Sequence, residues 1–389
     1  MADDAKPPAG PADDQRLLEG GHRRTVAVVV VVTQLVVAAV TATVVYFGYD
    51  NLDGNIPEGL RIEHVVPEPE SEDTGEAVPV NILVMGEDTR SGEGNAIDGE
   101  TGGGGSDTTI LLHVSADRED AYGVSLPRDA MVARPRCESD GETVPAADPV
   151  MFNEAFALAG PRCTVTMVES LTGIYIDHFV VLDFNGFKAM VDAVHGVQVC
   201  IPEDVDDDQH NIHFEAGTQE LDGDAALDYV RERYVLSVTG DIGRMKRQQA
   251  FIASMANKVL SAGTLSRPMR VYNFLKAVTR SIKVDDNLDS LAKMADLVRN
   301  LQGPGLSDIK FLTVPIAEYE PDPNRLQWTD AAKDLWRRIR DDKPLGPTLS
   351  KDSLNVDDPV GTPDKPPTGG SGDPDPDEAE ERLANGLCA

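Results

Sequence analysis

Two apolar stretches, VNILVMG at residues 80–86 and TTILLHV at residues 108–114, have the length and composition of buried β-strands. A third strand is predicted in AYGVSLP at 121–127, after a short polar turn. Two helical patterns follow, MFNEAFALAG at 151–160 and TVTMVESLTG at 164–173, and each is stopped by a glycine. Strands and helices interleaved in this way predict an α/β domain in which helices cover a central sheet.

The alternation continues beyond this first part of the domain. Strands are predicted in DHFVVLD, VQVCI and IKFLTVP, and helices in NGFKAMVDAV, RPMRVYNFLKAVTRSI and DAAKDLWRRIR. Further helices are predicted near residues 222–231, 242–262 and 287–301. The predicted organisation of the chain is a cytoplasmic tail (1–25), a transmembrane helix (26–48), an acidic stalk (49–78), the α/β domain (79–342) and a disordered tail rich in Pro, Asp and Gly (343–389).

An uncharged run, VAVVVVVTQLVVAAVTATVVYF, occupies residues 26–47. At about 1.5 Å per residue a helix of this length spans roughly 33 Å, enough for the apolar core of a bilayer. A cleaved signal peptide is the alternative, but its apolar region is about 7 to 15 residues long and ends at a small-residue cleavage site. Arg23 and Arg24 precede the run, whereas Asp50 and Asp53 follow it. The positive-inside rule therefore predicts a cell-membrane protein with a cytoplasmic N-terminus and an extracytoplasmic domain.

The overall charge limits the ligands that the chain can take. It carries 67 acidic and 35 basic residues, which gives a formal net charge of −32. Such a charge repels a polyanion at long range and argues against a nucleic acid as the ligand. Any anion site must therefore be a local exception to the overall charge.

Cysteines are few, and outside the cytoplasm they tend to be paired. Cys137 and Cys163 flank a loop rich in Pro and Asp, which predicts a disulfide that pins this loop to the following helix. Cys200 and Cys388 are left over. They form a second bridge that tethers the tail, or they are a buried free thiol and an incidental one.

Two aspartates lie at neighbouring ends of the first two predicted strands. Asp88 follows the first strand and Asp107 precedes the second. Adjacent strand ends could bring the two carboxylates together, and two carboxylates facing a phosphate suit Mg²⁺, which takes only one or two protein oxygens and keeps its waters. The alternative is that these aspartates cap their own loop, as Asp before Thr commonly does.

Positive charge gathers locally in AALDYVRERYVLSVTGDIGRMKRQQ at 225–249. Arg231 and Arg233 are two residues apart, so on an extended segment they would point to the same side. Guanidinium groups hold phosphate oxygens bidentately and stay charged, which suits a pyrophosphate. A surface network of salt bridges is the alternative.

The second half of this segment has helical spacing. Arg244, Arg247 and Gln248 are spaced i, i+3 and i+4, so they share one face of a helix. Asp241, just before that helix, is either its N-cap or a catalytic group. Arg128, in SLPRDA, adds another positive charge at the end of an apolar strand.

In this order, NILVMGEDTR, SDTTILLHV, SLPRDAMV, FNEAFALAGP, LDGDAALDYVRERY and GDIGRMKRQQ resemble the signature of the LytR-CpsA-Psr (LCP) family. The resemblance covers roughly residues 80–340. It implies a phosphotransferase that moves a glycopolymer from a polyprenyl-pyrophosphate carrier to a hydroxyl group of cell-wall peptidoglycan. The implied fold is a helix-covered mixed sheet with an apolar pocket for the prenyl chain, since each buried CH₂ contributes about 0.8 kcal/mol.

The resemblance also implies roles for individual residues. Asp88 and Asp107 would hold Mg²⁺. The implied pyrophosphate ligands are Arg128, Arg231, Arg233, Arg244, Arg247 and Gln248. The implied catalytic residues are Arg128, Arg231, Arg233, Arg244 and Asp241. The group that takes the proton of the acceptor hydroxyl stays open between Asp241, Asp88 and a metal-bound hydroxide.

Two other functions fit the same residues. One is a non-catalytic binder of lipid-linked glycan, or an envelope regulator. The other is a polyprenyl pyrophosphatase, which uses water in place of an acceptor. A DNA-binding transcription factor does not fit, because the basic cluster follows the predicted membrane span on its extracytoplasmic side and no helix-turn-helix pattern precedes it. The complete set of aspartates and arginines favours the transferase, because a pure binder does not need all of them.

Overall fold

The computed structural model describes residues 33–34, 37–69, 77–88, 104–139, 142–208, 210–233, 235–301, 303, 305–351, 353–356 and 376–388. The chain divides into two compact units, Met1–Gly54 and Asn55–Ala389. A helix, α1, runs over 37–53 of the chain, within the first unit. Within the part of the chain that is described, no helix has the length and apolar character to cross a membrane. The span predicted at 26–48 lies partly outside the described residues and stays a prediction.

Seven strands of the second unit form one mixed sheet. In spatial order they are β13 (Ile282–Val284), β8 (His178–Asp183), β1 (Val80–Glu87), β2 (Ser106–Val114), β3 (Ala121–Leu126), β14 (Ile309–Thr313) and β17 (Leu354–Asn355). The strand β1 pairs antiparallel with β2 and parallel with β8, and β3 pairs parallel with β14. The prediction of a central mixed sheet is confirmed.

The remaining described strands form two-stranded sheets around this centre. They are β4 (Met131–Arg134) with β7 (Ala147–Met151), β5 (Cys137–Ser139) with β6 (Glu142–Val144), β9 (Val197–Ile201) with β12 (Gly217–Leu221), β10 (Val205–Asp207) with β11 (Ile212–Phe214), and β15 (Ile316–Tyr319) with β16 (Asp322–Trp328).

Helices connect and cover the strands. They are α2 (Glu154–Thr172), α3 (Phe184–Ala193), α4 (Gly223–Arg231), α5 (Asp241–Leu260), α6 (Ala262–Leu265), α7 (Pro268–Ser281), α8 (Leu291–Asn300), α9 (Asp330–Arg340), α10 (Pro347–Ser350) and α11 (Pro376–Ala384). The helix α2 is interrupted at Gly160, whose φ of 68° and ψ of −162° are not helical. This break separates the two helical patterns predicted from the sequence.

The two faces of the sheet are covered by different helices. On one face Leu83 and Leu111 join a core cluster that includes Leu335 of α9 and several residues of α2. On the other face Ile110 packs with Ala253 of α5. Neighbouring residues of β2 thus point into opposite cores, because side chains alternate along a strand.

The domain begins earlier than predicted. Residues 60–66 lie in the predicted stalk, yet Ile62 is buried in the core cluster that contains α2. Leu60 forms a β-bridge with Asp285, and His64 lies 2.7 Å from the buried carboxylate of Glu169. The prediction of a stalk over 49–78 is therefore wrong for these residues. Their sequence, LRIEHVV, mixes apolar and charged residues, and Ile62 supplies the apolar anchor that joins them to the domain.

The C-terminal segment also differs from the sequence prediction. The strand β17 pairs with β14 at the edge of the central sheet, and Leu387 is buried with Ala253 of α5. Cys388 forms a disulfide with Cys200 of β9, with an S–S distance of 1.91 Å. The prediction of a disordered tail over 343–389 is therefore wrong for these parts. One sheet edge and one disulfide hold a segment that has too few apolar residues to fold by itself.

The loop after β4 is held by the other disulfide. Cys137 of β5 and Cys163 of α2 are joined, with an S–S distance of 1.99 Å. This is the pairing that the sequence predicts.

Candidate active site

A β-bulge places Asp107 at the centre of the site. Along β1 and β2, Gly86 lies opposite Thr108 and Glu87 lies opposite Ser106, so Asp107 is an extra residue without a partner in β1. A bulge takes one side chain out of the regular alternation and re-aims it. The carboxylate of Asp107 is thereby turned towards arginines that come from other segments.

Three arginines surround this carboxylate. Arg128 donates from Nη1 to Asp107 Oδ1 at 2.6 Å, and Arg233 donates from Nη2 to Oδ2 at 3.3 Å. Arg244 Nη1 lies 3.8 Å from the same Oδ2. These arginines follow β3, follow α4 and lie in the first turn of α5, respectively. Segments that are distant in the sequence therefore meet at one carboxylate.

Asp241 holds two of these arginines from the other side. Its Oδ1 lies 2.9 Å from Arg244 Nη2 and 3.5 Å from Arg128 Nη2. The N-cap of α5 is Gly240, and Asp241 is the first residue of the helix. Of the two roles open for Asp241, the N-cap is therefore wrong. Its carboxylate is engaged in orienting guanidinium groups.

The charges in the site are largely withdrawn from water. Burial alone raises the pKa of Asp107, but Arg128, Arg244 and Arg233 outweigh it and hold that pKa below the ordinary value. Burial lowers the pKa of Arg244 to about 10, although Asp241 and Asp107 oppose the shift. Arg244 is only 1% exposed. Both groups are charged at neutral pH, and contacts between such charges are stronger than they are in water.

An apolar pocket of about 250 Å³ lies beside this cluster. Its walls include Ile110 and Leu182 of the sheet, Phe187 of α3 and Met255 of α5. Asp107 lines the same pocket. The charge cluster and the apolar pocket therefore share a wall, between sheet and helices, where the sequence resemblance implies a lipid pocket.

Arg231 lies at the pocket and does not contact Asp107. It is the last residue of α4, and the backbone becomes extended only at Glu232, with φ −56° and ψ 138°. The assumption that Arg231 and Arg233 share an extended segment is therefore wrong. The guanidinium carbon of Arg231 lies 4.9 Å from the ring centroid of Phe184, and Arg231 lines the pocket.

Arg247 and Gln248 take different directions. Arg247 is fully buried, donates to the backbone oxygen of Glu232 and lies 3.5 Å from the carboxylate of Glu232. It is therefore a cross-link between α5 and the end of α4, and not one of the arginines at Asp107. Gln248 does reach the site, because its Oε1 accepts from Thr108 Oγ1 at 3.0 Å while its Nε2 donates to Val230 O at 3.1 Å.

The carboxylates of Asp88 and Asp107 are the predicted metal ligands. The backbone N–H of Asp88 donates to Gly105 O at 3.0 Å, so the ends of β1 and β2 stay paired next to both residues. No group of three or more His, Cys, Asp or Glu residues that could hold a metal ion is found among the described residues. Arg128 and Arg233 already engage both carboxylate oxygens of Asp107, so the Mg²⁺ site stays a prediction.

Sequence analysis missed the pair formed by Asp129 and Arg325. Asp129 Oδ2 lies 3.4 Å from Arg128 Nε, and Asp129 Oδ1 accepts from Arg325 Nη1 at 3.1 Å. Arg325 belongs to β16, almost two hundred residues away in the chain. The adjacent charges in SLPRDA were the only sequence signal for this contact, and they do not identify the partner.

Fold and site together define a class of protein. It is an α/β domain with a mixed central sheet in which arginines gather at strand ends beside an apolar pocket. The sequence profile of the LytR_cpsA_psr family matches residues 61–336, more than half of the chain. The chain therefore belongs to the LytR-CpsA-Psr family.

Individual relatives agree with this assignment. The cell wall biosynthesis protein LcpA of Corynebacterium glutamicum is 32% identical over 266 residues, which cover 62% of this chain and 50% of that protein. The polyisoprenyl-teichoic acid–peptidoglycan teichoic acid transferase TagU of Enterococcus faecalis is 32% identical over 217 residues, which cover 56% of this chain and 65% of that protein. The chain thus spans only about half to two thirds of the length of these relatives.

A solved structure shares the fold. The LytR-Csp2A-Psr enzyme from Actinomyces oris superposes with a TM-score of 0.54 at 18% sequence identity. The match covers 73% of this chain and 96% of that chain. At this identity the likeness concerns the fold alone.

Replacing Asp107 with Asn tests the electrostatic role of the carboxylate. At neutral pH the variant should lose about 2 kcal/mol of stability, because the arginines lose their shared anion. Since the pKa of Asp107 is lower in the folded chain, its contribution is present above the ordinary value of 3.8 and is lost as the pH falls through the lower folded value. The difference in melting temperature between wild type and variant should therefore shrink below about pH 4. A difference in melting temperature between wild type and variant that stays constant from pH 7 to strong acid would contradict this account.

The assignment of Arg247 as a structural cross-link leads to a second prediction. Arg247→Met should lower the free energy of unfolding by about 3 kcal/mol or more, because it leaves the carboxylate of Glu232 buried without its guanidinium. Arg233→Met, at a partly exposed position, should cost about 1 kcal/mol or less. Urea unfolding followed by circular dichroism measures both. Equal losses in the two variants would show that Arg247 has no special structural role.

Proposed function

We propose that the chain transfers a glycopolymer from a polyprenyl-pyrophosphate carrier to a hydroxyl group of peptidoglycan. The observation that carries the proposal is the wall shared by the arginine cluster at Asp107 and the apolar pocket. A ligand that fits both has a phosphate group joined to an apolar chain. The names of the relatives support the same substrate, since TagU is named for polyisoprenyl-teichoic acid and peptidoglycan and LcpA for cell wall biosynthesis.

The pocket supplies binding energy for the carrier. Each buried CH₂ contributes about 0.8 kcal/mol, so two isoprene units, roughly ten carbons, contribute about 8 kcal/mol. Phe187 and Met255 offer aromatic and flexible apolar contacts to such a chain. Energy from this remote part of the substrate can hold the pyrophosphate at the arginines.

The transfer itself is a displacement at phosphorus. The oxygen of the acceptor hydroxyl forms a bond to the phosphorus on the sugar side, and the bond from that phosphorus to the bridging oxygen breaks. The electron pair leaves with polyprenyl phosphate, which gains negative charge. In this proposal Arg231 stabilises the leaving group, which is supported by its position at the wall of the pocket. Arg128, Arg233 and Arg244, which gather at Asp107, would hold the oxygens of the transferred phosphoryl group.

Two aspartates have distinct parts in this proposal. Asp241 is a positioning residue, since both of its oxygens are engaged with Arg244 and Arg128. The acceptor for the proton of the hydroxyl group is proposed to be Asp88, which follows β1 at the end of the sheet beside Asp107. Asp88 and Asp107 would also hold Mg²⁺, which would neutralise charge on the pyrophosphate when bound.

The location of the reaction follows from the same substrate. A polyprenyl carrier lies in a bilayer, and peptidoglycan lies outside the cytoplasmic membrane. We therefore place the domain on the extracytoplasmic side, held at the cell membrane by the helix predicted at 26–48.

Removing a guanidinium group from the site should slow the transfer without unfolding the domain. Arg231→Ala and Arg233→Ala should each lower turnover by about 10² or more, because charge-assisted contacts strengthen as charge moves to the leaving group. Arg→Lys at the same positions should rescue poorly, since lysine lacks the bidentate fork. The assay is the release of polyprenyl phosphate from a polyprenyl-pyrophosphate glycan, with and without peptidoglycan.

A matched control is Arg299→Ala, which removes an exposed guanidinium group of α8 and should leave turnover unchanged. Near wild-type turnover in Arg233→Ala, with unchanged melting, would reduce the cluster to a salt-bridge network. Release that is equally fast without peptidoglycan would indicate a pyrophosphatase. Tight binding of the carrier without any release would indicate a binder.

A further inference from the structure

One region of the chain reverses the overall charge. From residue 242 to residue 284 the sequence has nine Lys and Arg residues and no Asp or Glu, in a chain with a net charge of −32. Part of this charge belongs to the start of α5, near the active site. Lys258 and Lys283 form ion pairs with Glu220 and Glu87. The remaining cations lie on α7 and just before it.

These remaining cations are Arg267, Arg270, Lys276 and Arg280, here called the cationic face. None of them makes an ion pair with a residue that the structure describes. Arg267 and Arg280 are exposed, and the other two are half-buried. An unpaired cluster of this kind costs repulsion within the domain and is expected where an outside anion can balance it.

Two of these cations, Lys276 and Arg280, lie on one side of α7. Met269, Lys276 and Arg280 are spaced i, i+7 and i+11, so they lie on a common stripe. Phe274 and Val278 lie on the opposite side and pack against the domain cores that contain α3 and β13. The helix is therefore amphipathic, with its polar side turned away from the protein.

Exposed apolar side chains border the cationic face. Leu260, Leu265 and Met269 are 47%, 56% and 69% exposed, at the end of α5, in α6 and at the start of α7. Basic groups beside exposed leucine and methionine are the composition of a surface that lies on an anionic bilayer, where the apolar groups enter the headgroup region. A soluble polyanion would use the charge but would leave these apolar groups in water.

The apolar pocket reaches towards the same place. Met255 lines the pocket, and Leu260 follows five residues later on α5, about 7.5 Å along the helix axis. The helix α3, which contributes Phe187 to the pocket, packs against α7 through the cluster that includes Phe274. We propose that the cationic face, with Leu260, Leu265 and Met269, docks the domain on an anionic lipid bilayer next to the pocket. This goes beyond the transfer reaction, because docking depends only on the surface.

A fluorescent probe on the full chain in lipid nanodiscs tests the docking. Both cysteine pairs are in disulfides, so Met269→Cys gives one reactive thiol. Spin-labelled anionic lipids should quench the probe at 269 strongly, and zwitterionic lipids alone should quench it little. The same probe at Lys333→Cys, exposed on α9, should not be quenched.

Charge removal provides the second arm of this experiment. Arg267→Gln with Arg280→Gln should lower the docked fraction by about tenfold or more, because each cation near an anionic surface strengthens binding roughly fivefold. The matched control, Lys333→Gln with Arg337→Gln, removes the same charge from α9 and should change nothing. Equal quenching at 269 and 333, or quenching independent of lipid charge, would overturn the proposal. A change in the fluorescence of the probe at 269 with a soluble polyanion, but not with the nanodisc, would also overturn the proposal. No substrate is needed, so the docking can fail while the transfer reaction stands.

Discussion

The arrangement of the site depends on the carboxylate of Asp107. Two like charges about 5 Å apart repel by roughly 3 kcal/mol at an effective dielectric constant near 20. Anions must balance Arg128, Arg233 and Arg244, and Asp107 is the carboxylate that lies close to all three, at 2.6, 3.3 and 3.8 Å. Since these arginines come from the ends of β3, α4 and the start of α5, one residue on a β-bulge fixes three segments against each other. The same guanidinium groups can then exchange part of this contact for the oxygens of a phosphate ligand.

Contacts with the C-terminal segment also stabilise the arginine cluster at Asp107. The loop between Arg233 and Asp241 is backed by the C-terminal segment, where Thr239 Oγ1 donates to Asn385 Oδ1 at 2.8 Å. The disulfide between Cys200 and Cys388 fixes that segment to β9. A site whose donors are already in place needs little reorganisation when charge develops on a ligand. The parts of the tail that the structure describes are therefore connected to the loop that carries the site.

Sequence reasoning located the elements well and the side-chain directions less well. The strands β1, β2 and β3 are short apolar runs, and such runs are typical of strands that are buried on both faces. The break of α2 at Gly160 was also visible, because glycine ends a helical pattern. The side-chain directions of Arg231 and Arg233 could not be predicted in this way. The helix α4 continues through Arg231, so the two-residue alternation of an extended strand does not apply there. The bulge at Asp107 shifts the strand register by one residue, and amino-acid composition does not predict such a shift. The partner of Arg247 could not be predicted either, because the tertiary contact of α5 with the end of α4 determines it.

The central claim is that the arginine cluster and the apolar pocket hold one ligand, an apolar chain that ends in phosphate. Mass spectrometry of the lipid that copurifies with the full chain tests it most directly. The wild type should retain a polyprenyl phosphate or pyrophosphate, and Met255→Trp, which fills the pocket, should retain much less. Val298→Trp, at an exposed position of α8, should retain as much as the wild type. Ordinary phospholipid in equal amounts in all three proteins, with no polyprenyl species, would contradict the account.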